Sequence, residues 1–194
     1  MSKLVFAIEG LDRLGKSTLV DGLLNKLGYH QVIHFGKPKK LDAYRSAIRS
    51  PRDGMIIPEQ SVQAFEYQRA GFLNSMLLAR SGARIIFDRW HLGEAVYAPL
   101  YRGYSGDYVF DLETSTNLVN ENCVRLILLV EDFKTSKHFV DDGESLGPVE
   151  KRQEEQERFL AAFSKSNLRD KRIITVTSTS GKFKTKEEIL EEAV

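Results

Sequence analysis

The sequence has little cysteine, no linker rich in Pro, Gly or Ser, and no long apolar run. Its 194 residues include a single cysteine, Cys123, which excludes an intrachain disulfide. Without a long apolar segment we expect neither a signal peptide nor a membrane span, and we interpret the protein as soluble and cytoplasmic. The formal net charge of +1 gives no overall attraction to nucleic acid or to a membrane. Recognition of any partner must therefore depend on local groups of side chains rather than on the net charge.

The chain alternates between strand-like and helix-like segments. A hydrophobic content of 42% over this length suits one domain, residues 1–194. The alternation predicts the α/β class, with five parallel strands between two layers of helices. The predicted strands are 4–8, 31–35, 84–87, 124–130 and 172–176. The predicted helices are 19–27, 61–79, 149–164 and a final helix after the loop 178–184.

A phosphate-binding motif follows the first predicted strand. Residues 10–18 match GxxxxGK[ST], the P-loop pattern, and place the chain among P-loop NTPases. A plain glycine turn would leave the Lys-Ser-Thr run unexplained. The two glycines permit the tight turn, the lysine reaches the outer phosphates, and the serine hydroxyl is suited to Mg²⁺. The predicted ATP-binding residues are Gly10, Leu11, Asp12, Arg13, Leu14, Gly15, Lys16, Ser17 and Thr18.

An acid and a base follow the third predicted strand. Asp88 and Arg89 come directly after an apolar run, at the sheet edge where ligands bind in α/β proteins. Asp88 is suited to orient Mg²⁺ or its water, and Arg89 to hold a phosphate through two parallel hydrogen bonds. A surface ion pair at a strand end is the alternative. Together with the P-loop, the pair indicates phosphoryl transfer.

Phe65 and Arg69 are four residues apart in a predicted helix and share one of its faces. An aromatic plane beside a guanidinium suits a nucleobase. The alternative is that Phe65 and Phe72 form an apolar stripe on the sheet, with Arg69 at its edge.

The order of these parts resembles that of thymidylate kinases and related deoxynucleoside monophosphate kinases. The resemblance rests on Glu9 to Thr18, Phe35 with trailing basic residues, Phe65 to Arg69, and Asp88-Arg89-Trp90. It implies a nucleoside monophosphate kinase-like fold, a homodimer, and ATP and Mg²⁺ as cofactors. It further implies that the acceptor base stacks on Phe65 and contacts Arg69, and that Arg89 holds the monophosphate. Asp12 and Tyr97 are then expected near the acceptor sugar.

The position of the catalytic arginine separates two kinds of thymidylate kinase, one with it in the P-loop and one with it in a mobile lid. Here Arg13 stands in the loop. The expected lid, residues 133–148, has no arginine; its charged residues include Lys134, Lys137, Asp141, Asp142 and Glu144. The chain therefore resembles the loop-arginine kind, since a guanidinium is most useful where transferred charge builds up.

Three features depart from the family pattern. Lysines replace the usual arginine after the second strand: Lys37, which we assign to the acceptor phosphate, with Lys39 and Lys40 nearby. Glu94 stands where the family has small residues, and its carboxylate is able to accept from a base amine. The segment 101–108 is an insertion, which either lengthens a wall of the site or connects elements at the surface.

The sequence therefore predicts a Mg²⁺-dependent kinase that moves the γ-phosphoryl group of ATP to a deoxynucleoside monophosphate, with dTMP as the expected acceptor. Arg13, Lys16 and Asp88 are the predicted catalytic residues. Alternatives are a broad-specificity monophosphate kinase, a deoxynucleoside kinase and a non-catalytic nucleotide switch. A kinase of a DNA end or base is a further alternative, suggested by a basic strip of Arg45, Arg49 and Arg52 beside the lysines.

Overall fold

The computed structural model describes residues 5–29, 31–35, 58–133, 151–178 and 180–194, and the side chains of 58–64 are not among the parts described. The basic strip, Lys37 and all of the expected lid except Phe133 lie outside these residues. Elements are numbered below in chain order over the described parts. No helix in those parts combines the length and apolar composition needed to span a bilayer.

Five short strands form a parallel sheet. The strands are β1 (Val5–Gly10), β2 (Gln31–His34), β3 (Ile85–Asp88), β4 (Val124–Val130) and β5 (Asp170–Thr175). Their order across the sheet is β2-β3-β1-β4-β5, and every neighbouring pair is parallel. Central strands β1 and β4 are almost wholly buried, as expected for a sheet covered on both faces. The predicted class and strand count are confirmed.

Helices cover both faces of the sheet. They are α1 (Lys16–Leu27), α2 (Pro58–Arg80), α3 (His91–Tyr97), α4 (Tyr108–Ser115), α5 (Arg152–Lys165) and α6 (Lys186–Ala193). On one side α1 packs against α6; on the other, α2 packs against α4 and α3 against α5. Helices α1 and α6 approach each other closely at Gly22, where an added Cβ would lie 3.3 Å from Leu190 Cδ2.

The region between β3 and β4 differs from the sequence prediction, which placed no helix there. Helix α3 continues as a π-helical segment, Ala98–Arg102, and α4 and a short 3₁₀ turn, Leu118–Asn120, follow. The predicted insertion 101–108 therefore begins inside helical structure and ends at the start of α4. Its chain is folded back over α3 rather than left as a loose surface connection.

Because all strands are parallel, their carboxyl ends lie along one edge of the sheet. Gly10, His34 and Asp88 end β1, β2 and β3, and Asp88 is in register with Ile8 and His34. Ligands of open α/β sheets bind outside this edge. The residues singled out in the P-loop and after β3 are therefore brought together by the topology.

Candidate functional site

The P-loop connects β1 to α1 through residues in left-handed backbone conformations. Gly10, Arg13 and Gly15 have φ values of 133°, 67° and 80°. Gly10 is also required by space, since a Cβ there would collide with the carbonyl oxygen of Leu129 on β4. Leu11 and Leu14 are buried beneath the loop. The loop is thus held in a fixed turn at the start of a helix, the position where backbone N–H groups bind anions.

Lys16 begins α1 and is almost fully buried. Its ammonium group donates to the carbonyl oxygens of Gly10 at 2.9 Å and Leu11 at 2.5 Å, and lies 3.7 Å from Asp12 Oδ1. Burial, reinforced by the positive charge of Arg89, lowers the pKa of Lys16 to about 8. An anionic phosphate at the loop would favour the charged form of this lysine.

The residues after β3 are tied to β1, β2 and the P-loop. Arg89 has a left-handed φ of 63°, its N–H donates to the Ile8 carbonyl at 2.9 Å, and its guanidinium pairs with Asp12. Asp88 Oδ2 lies 2.9 Å from His34 Nδ1. The structure therefore brings Asp12, Lys16, Asp88 and Arg89 into one charged cluster.

One oxygen of Asp88 fits the role of a cation ligand. Its Oδ1 atom is buried and has no hydrogen-bond partner among the described residues. Ser17 stands exposed in the first turn of α1. The described residues contain no cluster of three or more His, Cys, Asp or Glu side chains suited to a metal. A Mg²⁺ ion bound with a nucleotide needs only one or two protein ligands, because phosphates and waters supply the others.

Glu9 fixes the segment after β3 and was not assigned a role from the sequence. Its side chain is 1% exposed, and Oε1 accepts from the N–H groups of Trp90 at 2.9 Å, Leu92 at 2.8 Å and Gly93 at 3.3 Å. Burial raises the pKa of Glu9, opposed by the charge of His91 and by these hydrogen bonds. The carboxylate satisfies N–H groups at the start of α3 that the helix leaves without partners. The only sequence signal was its position before Gly10.

A cleft, which we call the Trp90 cleft, opens beside the start of the P-loop. Gly10 and Arg89 lie at its phosphate-loop end. Its apolar walls are Phe35, Phe72, Trp90, Tyr97 and Phe159, and its polar side chains include Glu9, Gln68, Glu94 and Arg102. The Phe35 and Phe72 rings stack at 5.1 Å, and the Trp90 indole donates to Ser75 Oγ at 2.6 Å. Aromatic walls with a few polar groups are typical of nucleoside sites.

Two residues expected at the acceptor base, Phe65 and Arg69, do not line the Trp90 cleft. Arg69 lies on the exposed side of α2, 3.6 Å from Glu66 Oε2, and does not line the Trp90 cleft. Phe65 makes edge contacts with Tyr104 and Tyr108. The α2 side chains that line the cleft are Gln68 and Phe72, because they lie on the helix side nearer the sheet. Of the other expected acceptor-site residues, Phe35, Arg89, Glu94 and Tyr97 line it. Asp12 does not, and Lys37 lies outside the described residues.

Glu94 is bound to the insertion. One carboxylate oxygen pairs with Arg102, and the other accepts from Tyr104 Oη at 2.7 Å and Tyr108 Oη at 3.0 Å. With three donors already on the carboxylate, little acceptor capacity is left for a base amine. The insertion thus contributes Arg102 to the lining of the Trp90 cleft, and its role as a wall of a substrate site stays a prediction.

A second cleft, the Phe183 cleft, opens beside the far end of the P-loop. It is lined by Arg13, Gly15 and Thr18 from the loop and by Phe183, Lys184 and Lys186 from the C-terminal segment. A hairpin holds this segment, since Thr177 pairs with Phe183 and Ser178 N–H donates to the Lys182 carbonyl at 2.7 Å. Phe183 is 49% exposed. Its exposure and the nearby cations were not recognised from the sequence, which indicated only a loop.

Comparisons with known proteins extend the structural result. No protein-family model matches the sequence, and no curated protein does. The Bacillus subtilis YorR protein, solved with phosphorylated GDP, has a TM-score of 0.58 and 18% identity over 96% of this chain and 91% of YorR. The Candida albicans thymidylate kinase, whose structure addresses broad substrate specificity, has a TM-score of 0.51 and 16% identity, with coverages of 97% and 88%.

The NadR protein, solved in complex with NR, is similar over half of its own length. Its TM-score is 0.54 at 17% identity, and the match covers 98% of this chain and 51% of NadR. At such identities the similarity establishes the fold. The chain has the fold of P-loop nucleoside and nucleotide kinases, a five-stranded parallel sheet with helices on both sides.

Proposed function

We propose that the protein is a kinase that transfers the γ-phosphoryl group of ATP to a deoxynucleoside monophosphate. The observation that carries this proposal is that two clefts meet one phosphate loop. Gly10, at the start of the loop, lines the Trp90 cleft, and Gly15, at its end, lines the Phe183 cleft. A non-catalytic switch has no use for the second cleft. A kinase needs both, one for the donor and one for the acceptor.

The Phe183 cleft is assigned to the donor. Its exposed aromatic ring offers a face on which a purine stacks, and its cations suit the adjoining ribose and phosphates. The γ-phosphate then lies at the P-loop near Lys16. Arg13 lines this cleft and carries its guanidinium in the loop itself, where it stabilises negative charge on the group in transfer.

The Trp90 cleft is assigned to the acceptor, with Arg89 holding its phosphate. The bond from the γ-phosphorus to the bridging oxygen of ADP breaks while an acceptor phosphate oxygen forms the new bond. The products are ADP and a nucleoside diphosphate. Asp12, paired with Arg89, positions that guanidinium between the two sites. When bound, Mg²⁺ would neutralise phosphate charge, and Ser17 and Asp88 are the residues that would hold it.

The choice of acceptor is the finer part of the proposal. The resemblance in sequence implies dTMP as the acceptor and a homodimer. The fold relatives support nucleotide chemistry more broadly, since one was solved with phosphorylated GDP and another concerns broad specificity. The dimer is tested by light scattering of the purified chain.

The test is ADP release from ATP and Mg²⁺ with a panel of dTMP, dUMP, dCMP, dGMP, dAMP, thymidine and single-stranded DNA. Stimulation by one or more monophosphates, abolished by Lys16→Ala, is the expected result. Stimulation by thymidine alone would assign a nucleoside kinase, and stimulation by DNA alone a polynucleotide kinase. ATP binding without stimulation by any acceptor would contradict the proposal and favour a switch.

A further inference from the structure

Arg102 has a fixed guanidinium in the acceptor cleft. It ends the π-helical segment and pairs through one terminal nitrogen with Glu94 Oε2. The side chain of Glu94 is 1% exposed and that of Arg102 is 13% exposed. Glu94 itself is held by Tyr104 and Tyr108. The guanidinium is thus anchored by a buried carboxylate, and Arg102 also lines the Trp90 cleft.

The insertion that holds this pair is tightly packed. A Cβ on Gly106 would collide with the backbone of Glu94. The rings of Tyr104 and Tyr108 meet the Phe65 ring edge-on, with centroids 5.8 Å and 4.9 Å apart. Side chains held by packing and hydrogen bonds direct their polar groups with little conformational freedom. The remaining N–H groups of Arg102 therefore have a defined direction.

Those remaining N–H groups have no protein partner among the described residues, and Arg102 lines the Trp90 cleft. A guanidinium presents only donors, arranged as a planar fork. Such a fork is satisfied by two neighbouring acceptor atoms on a base. Guanine offers O6 and N7, and cytosine offers O2 and N3. Thymine alternates acceptors with a ring N–H. Adenine carries its amine beside N1 and N7 and its remaining ring acceptor, N3, stands alone, so neither base presents two acceptors side by side.

We propose that Arg102 selects the acceptor base, and that the acceptor is a monophosphate of guanine or cytosine rather than dTMP. This inference rests on the proposed function and deepens it. Gln68 lines the same cleft and offers both a donor and an acceptor, so it accommodates either base. Glu94 is a positioning residue: it acts by fixing Arg102.

The first experiment measures binding without ATP. The single tryptophan, Trp90, lines the cleft, so its fluorescence reports binding of dGMP, dCMP, dTMP and dAMP, with calorimetry as a second readout. Wild type is compared with Arg102→Lys, which keeps the charge and loses the fork, and with Glu94→Gln, which frees the guanidinium. Arg158→Lys is the matched control, because Arg158 is exposed on α5 and, within the described parts of the chain, its ion pair is with Glu154 alone.

We expect wild type to bind dGMP or dCMP about ten-fold or more tightly than dTMP and dAMP. In Arg102→Lys and Glu94→Gln the affinities for the four monophosphates should lie within about three-fold of one another. For the preferred acceptor, these variants should raise KM and leave kcat unchanged. Arg158→Lys should keep the wild-type order. Comparing dGMP with dCMP identifies which of the two bases is preferred.

Preference of wild type for dTMP or dAMP would overturn the inference and leave the proposed kinase activity standing. Retention of the dGMP or dCMP preference in Arg102→Lys would also overturn it, since the fork would not be the selecting group. Should either variant fail to fold, the wild-type order of affinities alone decides. Failure of all four monophosphates to bind would instead contradict the proposed function.

Discussion

Replacing Glu9 by alanine should destabilise the protein strongly, and replacing it by glutamine only slightly. Alanine leaves the N–H groups of Trp90 and Leu92, at 2.9 Å and 2.8 Å from the carboxylate, without a partner. Each unsatisfied buried N–H costs about 1–3 kcal/mol, and the lost side chain adds a cavity. We expect about 3–5 kcal/mol for Glu9→Ala. Glutamine retains a carbonyl acceptor and removes a buried charge, so its cost should stay below about 1 kcal/mol.

The comparison with glutamine should depend on pH. Burial raises the pKa of Glu9 in the native state above its ordinary value of 4.5. At pH values between 4.5 and the raised pKa, the native state therefore binds more protons than the unfolded chain. The contribution of Glu9 to stability is therefore present at low pH and lost as pH rises through the raised pKa. Glu9→Gln has no such proton. The free energy of unfolding of Glu9→Gln, relative to that of wild type, should therefore be higher at pH 8 than at pH 5.

Urea unfolding followed by circular dichroism at the two pH values measures both effects. A free energy of unfolding for Glu9→Ala equal to that of Glu9→Gln would refute the claim that the carboxylate holds α3 through backbone N–H groups. A pH-independent difference between wild type and Glu9→Gln would refute the electrostatic part alone.

Three further predictions concern the P-loop and the donor cleft. Arg13→Ala should lower turnover about 10³-fold with little change in ATP affinity; equal losses in both would contradict a role in the transition state. In urea unfolding, Gly10→Ala should lose at least about 2 kcal/mol because its Cβ collides with β4, whereas Gly71→Ala, in open space on α2, should gain about 0.5–1 kcal/mol. Phe183→Ala should raise the KM for ATP about ten-fold through lost stacking. Its control is Tyr67→Ala, which removes an exposed aromatic side chain on α2 and should leave the KM for ATP unchanged.

Strands β1, β3 and β4 were predictable because each is a short apolar run with few polar interruptions. In β2 and β5 the signal was weaker, since only the pairs Val32-Ile33 and Ile173-Ile174 are apolar. For β4 the predicted bounds, 124–130, coincide with the observed ones, and β1, β2, β3 and β5 differ by one or two residues at their ends. Helices α3 and α4 were missed because their buried faces include charged side chains. His91, Glu94 and Glu113 are all buried and interrupt the apolar spacing by which an amphipathic helix is recognised.

The charged cluster around the P-loop was predictable from local motifs, since P-loop residues follow a fixed spacing. The lining of the Trp90 cleft was not, because it depends on which face of α2 meets the sheet and on pairings such as Arg102 with Glu94 across the fold. Arg69 and Gln68 are adjacent in sequence, and only Gln68 lines the cleft. That residues 133–148 act as a lid remains a prediction.

Two cations of the candidate site, Lys16 and Arg89, already have oxygen partners within the protein. Lys16 donates to two loop carbonyl oxygens, and Arg89 pairs with Asp12. An incoming phosphate replaces these internal oxygens with its own, so nucleotide binding is an exchange of partners rather than the neutralisation of bare charge. Affinity should therefore fall less steeply with salt than two unpaired cations would require. If the proposed reaction takes place, departure of the products is the reverse exchange, in which each cation returns to an oxygen close by.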